Sequence, residues 1–161
     1  MLDLVEQLGT LLQDRHMKLV TAESCTGGLL ATTITHKAGA SAFFDRGYIT
    51  YSNDSKMEVL GVSAQTLDTY GAVSGQTAEE MATGALTKSH ADLAVSITGI
   101  AGPDGGTSKK PVGLVYFGYA LKNGSIGHVE FHFEGNRNKI QTEATIMALR
   151  HLISVLERPT G

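Results

Sequence analysis

The sequence has a single cysteine, Cys25, so it has neither an internal disulfide framework nor a cysteine-based zinc pattern. No apolar stretch reaches the roughly 18 residues of a membrane span. The opening residues, Met1-Leu2-Asp3-Leu4-Val5-Glu6, lack the basic n-region of a signal peptide, and a cytoplasmic protein is expected. Basic excess is also missing. The net charge of −3 argues against a nucleic-acid partner held by bulk charge, although it leaves room for a local basic pocket. There is no internal repeat, linker or low-complexity segment. What is present is 161 residues, 42% apolar, which suits one globular domain over residues 1–161 with a full core. The 19 glycines gather in a few loops.

Hydrophobic spacing predicts an amphipathic helix over 2–15, carried by Leu4, Leu8, Leu11 and Leu12. A short buried strand follows at 18–22, then a helix over 26–36 that ends near Gly39. Residues 43–51 have the aromatic and β-branched content of a strand. Helices are expected at 53–60, capped by Asn53 or Asp54 and stopped by Gly61, at 63–70, and from Ser74 to Lys88. Residues 93–98 read as a strand, 99–111 as a loop, and 112–121 with 125–133 as a hairpin turned at Asn123-Gly124. A last helix spans about 138–156, and the tail 157–161 is expected to fray. Crossovers followed by one hairpin imply an α/β fold: three α/β/α layers around a mixed, mostly parallel sheet. In such sheets ligands bind beyond the carboxyl ends of the strands, where Ser24 and Gly99 both fall.

Three segments can carry chemistry. In Glu23-Ser24-Cys25-Thr26-Gly27-Gly28 a strand turns into a helix, which sets small polar side chains beside free N–H groups. Ser24 reads either as a nucleophile or as a helix cap accepting the Gly27 N–H. Cys25 is the rival nucleophile, or a small buried hydrophobe facing the sheet–helix packing. The second segment, Thr98-Gly99-Ile100-Ala101-Gly102-Pro103-Asp104-Gly105-Gly106, reads as an anion nest or as a flexible connection. Lys109 and Lys110 stand ready to add charge. The segment is neither a Walker A loop nor a dinucleotide fingerprint. The third, Tyr51 with Lys56, reads as a general base and a supporting hydroxyl, or as a core tyrosine and a surface lysine. His128 and His132 share a strand face with Glu130 and Glu134, which reads as a solvated face, and no metal-ligand set is visible.

These segments occur together, in order, with Thr50-Tyr51-Ser52-Asn53, Gly71-Ala72-Val73-Ser74, Met81-Ala82-x-Gly84 and Lys110-Pro111-Val112-Gly113. In this set the chain resembles the C-terminal domain family of the competence/damage-inducible protein CinA, over nearly its whole length. The resemblance implies hydrolysis of the carboxamide of nicotinamide mononucleotide to nicotinate mononucleotide and ammonia, without metal or cofactor. It implies Ser24 as nucleophile, Lys56 as base and Tyr51 as a supporting hydroxyl. The chemistry then places the oxyanion on the N–H groups of Cys25, Thr26 and Gly27, beside Gly28. Ribose and phosphate fall to Thr98, Gly99, Gly102, Gly105 and Gly106. Arg137 is a phosphate candidate or an exposed charge at a helix terminus. The expected partner is a small nucleotide, with no nucleic acid or membrane, and a homo-oligomer is compatible with the reading. Two rival classes use the same residues: a nucleotide-binding regulatory module that does no chemistry, and an interaction protein in DNA uptake or repair. Ligand binding without ammonia release separates the first from an enzyme.

Overall fold

The computed structural model describes residues 1–158. Helix α1 (Leu2–Asp14) leads into strand β1 (Leu19–Glu23), helix α2 (Leu29–Thr35), a 3-10 turn at Ala40–Ala42 and strand β2 (Phe44–Ile49). Three helices follow, α3 (Asn53–Leu60), α4 (Ala64–Tyr70) and α5 (Gly75–Thr87). Strands β3 (Leu93–Gly99), β4 (Leu114–Leu121) and β5 (Ile126–His132) and helix α6 (Arg137–Glu157) complete the chain. The sheet order is β2-β1-β3-β4-β5. β1 pairs in parallel with β2 and β3, and β4 pairs antiparallel with β3 and β5, so β4 alone runs against the rest.

Side-chain alternation divides the core in two. Leu19, Leu93, Val95, Ile97, Val115 and Phe117 face one side, under α1, α2 and α6, with Val5, Leu8, Leu12, Leu30, Ile34 and Leu152. The other face carries smaller groups, Val20, Ala22, Ala94 and Ala120, under α5 with Met81, Ala82 and Ala85. Small residues let α5 approach closely: a Cβ on Gly118 would lie 2.4 Å from the Ala78 carbonyl oxygen. Each large apolar side chain fully buried here, such as Leu8 or Phe117, stabilises the fold by about 1.5–3 kcal/mol.

The observed elements depart from the sequence reading at a few ends. Helix α2 starts at Leu29 rather than residue 26, because Gly27 and Gly28 take positive φ (60° and 106°) and form a turn before it. α3 is capped by Ser52, whose hydroxyl accepts the Ser55 N–H at 3.1 Å, not by Asn53 or Asp54. Ser63, Ser74 and Asn136 cap α4, α5 and α6 in the same way, each for about 1 kcal/mol. Glu157 closes α6, where fraying was expected, and Pro159 to Gly161 lie outside the described residues.

Candidate active site

The sheet order brings three carboxyl ends together. Glu23 stands opposite Ile49 of β2 and Ile97 of β3. One residue further, the Ser24 N–H donates to the Ile97 carbonyl and the Thr50 N–H donates to the Glu23 carbonyl, both at 2.9 Å. A cleft of about 240 Å³ opens above them, walled by Ser24, Lys56, the loop after Thr98, and Arg137.

Lys56, in the first turns of α3, is buried, with 1% of its surface exposed. Its Nζ lies 3.0 Å from Ser24 Oγ, 2.9 Å from the Thr50 carbonyl and 3.2 Å from the Tyr51 carbonyl. As an ammonium group it donates to all three. As a neutral amine it has two N–H bonds and one lone pair. The carbonyls can only accept, so they take the two N–H groups, and the lone pair is left to accept the Ser24 O–H. Burial pushes the Lys56 pKa below its ordinary value, and the Cys25 thiol opposes that slightly. Burial therefore favours the form in which the amine is a base, and the geometry lets that form accept the Ser24 proton.

Ser24 does not cap α2 through its side chain. The Gly27 N–H donates to its main-chain carbonyl at 3.0 Å, which leaves the hydroxyl free to face Lys56. Capping falls instead to Glu23, a carboxylate buried to 1% exposure at the end of β1. It accepts from the Thr26 hydroxyl at 2.7 Å, the Leu30 N–H at 2.9 Å and the Ala31 N–H at 3.0 Å. The N–H groups of Cys25 and Thr26 donate to no protein acceptor among the described residues. Cys25 packs into the core, and burial, aided by the nearby Glu23 charge, pushes its thiol up to about 12. Its carbonyl accepts from Gln141 Nε2 of α6 at 2.9 Å, a contact spanning 116 residues.

Tyr51 lines the cleft as well, with its hydroxyl turned to Arg137 rather than to Lys56. Its main-chain carbonyl touches Lys56, whereas the residue is 61% exposed and its hydroxyl accepts from Arg137 Nη2 at 2.9 Å. Alternation along the end of β2 explains this: Thr50 turns inward and Tyr51 outward. Arg137 also donates from Nη1 to the Gly102 carbonyl at 2.7 Å, and so bridges the cleft between Tyr51 and the glycine loop. Thr98, Gly99, Gly102 and Gly105 line the cleft with Cys25. Thr26, Gly27, Gly28 and Gly106 do not. Thr26 spends its hydroxyl on Glu23, Gly27 and Gly28 form the turn into α2, and Gly106 packs on Val112. Lys109 is exposed and Lys110 donates to the Tyr70 carbonyl, so neither charge enters the cleft.

Among the described residues no three His, Cys, Asp or Glu side chains converge as a metal site, and no helix is long and apolar enough to cross a membrane. His128 is not simply solvated, since its Nδ1 lies 2.6 Å from Glu79 of α5. Glu23 and Gln141 were missed by sequence reasoning. A charged residue ending an otherwise apolar strand was the available signal for Glu23, and nothing local marked Gln141.

The family model of the CinA C-terminal domain matches residues 1–156. The chain is 49% identical over 148 residues to the nicotinamide-nucleotide amidohydrolase PncC of Enterobacter agglomerans, covering 92% of this chain and 90% of that protein. It is 48% identical to PncC of Escherichia coli K12, covering 94% and 92%. In a longer relative from Caldicellulosiruptor saccharolyticus, named for competence damage, the 52% identical match spans 35% of that protein's length. The crystal structure of the competence/damage inducible protein CihA from Agrobacterium tumefaciens superposes with a TM-score of 0.94 at 46% identity, covering 98% of this chain and 95% of that one. Sequence, fold and the order of the motifs agree, and the chain belongs to the CinA C-terminal domain family.

Proposed function

We propose that this protein is a nicotinamide-nucleotide amidohydrolase that converts nicotinamide mononucleotide and water to nicotinate mononucleotide and ammonia, using Ser24 and Lys56. The observation that carries the mechanism is the buried Lys56 amine 3.0 Å from the Ser24 hydroxyl at the floor of the cleft. The activity itself rests on near full-length identity of about half to proteins of that name.

An amide is a weak electrophile, so it needs an activated nucleophile and a held oxyanion. Neutral Lys56 takes the Ser24 proton as Oγ attacks the carboxamide carbon. The carbonyl oxygen gains the negative charge and sits on the free N–H group of Cys25 at the cleft wall, worth about 2.7–4 kcal/mol in such a role. The C–N bond then breaks, and the Lys56 ammonium returns its proton to the departing nitrogen, which leaves as ammonia. Water, deprotonated by the same amine, attacks the ester on Ser24, and the acid and the free hydroxyl are restored. Arg137, at the mouth, supplies the charge that takes the substrate phosphate. The reading places the enzyme in the cytoplasm, with no nucleic-acid partner, and it is compatible with a homo-oligomer.

The test is ammonia release by the purified protein from a panel: nicotinamide mononucleotide, nicotinamide riboside, nicotinamide and the dinucleotide. Release from the mononucleotide above the others is expected. Binding without release from any of them would refute the enzymatic reading.

A further inference from the structure

The buried Glu23 carboxylate has no part in the steps above, although it sits one residue from Ser24. An acid at the end of a five-residue buried strand is costly to place there unless donors surround it. Here three do, and all three belong to the turn that carries the nucleophile or to the helix behind it. Oε1 accepts from the Thr26 hydroxyl and the Leu30 N–H, and Oε2 accepts from the Ala31 N–H. These bonds tie the end of β1 to the start of α2 and fold Ser24-Cys25-Thr26 into the loop between them. The main chain of the same residue acts on the other side. Its carbonyl accepts the Thr50 N–H at 2.9 Å, and the Thr50 carbonyl in turn accepts from Lys56 Nζ at 2.9 Å. One residue therefore registers both members of the Ser24–Lys56 pair, the serine through its side chain and the lysine through its backbone.

Resting on the serine–lysine reading, we infer that Glu23 is a positioning residue for catalysis, whose carboxylate fixes the Ser24 turn against Lys56. The carboxylate also takes N–H groups at the start of α2 that a ligand anion would otherwise use. Substrate phosphate is thereby left to the Arg137 side of the cleft, which agrees with the absence of Thr26, Gly27 and Gly28 from the cleft wall. A neutral amide cannot replace the acid. Glutamine keeps one acceptor oxygen but turns an NH2 group toward a backbone N–H, so one of the three bonds becomes a donor facing a donor. Aspartate is one methylene too short to reach α2 from the same backbone position.

The experiment compares Glu23→Gln, Thr26→Ala, Thr26→Ser and Ser24→Ala with the parent enzyme for kcat, KM and melting temperature. In Glu23→Gln, a kcat reduced about tenfold to a hundredfold is expected, the scale set by misplacing a reacting group by about an ångström. KM should stay within about twofold, because the Arg137 wall is untouched. Thr26→Ala should lower kcat less, and Thr26→Ser, which restores the hydroxyl, should recover the parent rate. A purely structural Glu23 would lower the melting temperature and leave kcat of the folded protein unchanged, and that result overturns the inference. So does a loss carried by KM. If Glu23→Gln does not fold, the Thr26 pair decides: equal kcat in Thr26→Ala and Thr26→Ser overturns the inference, and a drop rescued by serine supports it. Ser24→Ala separates the two layers. If it stays active, the serine–lysine reading has failed; if it is inactive while Glu23→Gln is normal, only the positioning role has.

Discussion

Replacing Lys56 by methionine keeps the length of the side chain and removes the amine. The two carbonyls that Nζ now meets, at 2.9 and 3.2 Å, lose this donor, and the Ser24 hydroxyl loses its Nζ partner. Each buried acceptor left unpaired costs about 1–3 kcal/mol, offset by no longer holding an amine away from water. The variant should therefore fold, with a stability loss of about 1–3 kcal/mol. Catalysis should suffer more. A positioned general base contributes roughly 10²–10⁴ in rate, or about 2.7–5.5 kcal/mol of barrier. The pH profile gives a second handle. The amine works only when neutral, and burial lowers its pKa, so kcat of the parent should rise with pH through that lowered value. The residual rate of Lys56→Met should lack this limb. Ammonia release across the neutral and alkaline range measures both, with calorimetry to confirm that the mononucleotide still binds. A methionine variant within about tenfold of the parent, with the same pH limb, would refute Lys56 as the base.

Three further outcomes follow from other residues. Cys25→Ala should keep near-parent activity, and thiol alkylation of the folded enzyme at neutral pH should be slow, because burial pushes the thiol up to about 12; rapid inactivation by an alkylating reagent would oppose this. Arg137→Ala should raise KM for the mononucleotide far more than it lowers kcat, since it removes the bridge from Tyr51 to Gly102 and the charge at the mouth; an unchanged KM argues against a phosphate role. His151 lies buried beside Tyr119, where burial, helped by Arg158, pushes it from 6.5 down to about 4. Between those values the unfolded chain binds a proton that the folded one does not, so folding stability should fall by about 3 kcal/mol as pH drops through that window. His151→Leu should flatten that fall in urea titrations, and identical slopes would count against it.

Much of the fold was legible because its helices and strands carry clean periodicity and strong stops. Gly61 ends α3 with φ of 72°, and Asn123-Gly124 turns the hairpin with φ of 99° at the glycine. The miss at α2 came from reading Thr26-Gly27-Gly28 as helix, when paired glycines in positive φ cost nothing as a turn and much as a helix. The pairing of Ser24 with Lys56 follows from adjacent strand ends, which the crossover rule supplies. Atom-level roles were not legible. The sequence left Tyr51 as a supporting hydroxyl or a core tyrosine, and only the path of the chain shows that its carbonyl meets Lys56. Nor could local pattern show that Gly75 lets the start of α5 close over His128, whose ring a Cβ there would meet at 2.3 Å. The Gln141 contact with Cys25 depends on how α6 packs across the molecule.

The central claim is that Ser24 is the nucleophile of an amide hydrolysis. The most direct measurement is the rate of ammonia release from nicotinamide mononucleotide by folded Ser24→Ala beside the parent enzyme. The hydroxyl makes no helix cap, so its removal should cost only about 1 kcal/mol of stability. Loss of release to background, with substrate binding retained, is the predicted result. Release by Ser24→Ala at a rate near that of the parent would contradict the account.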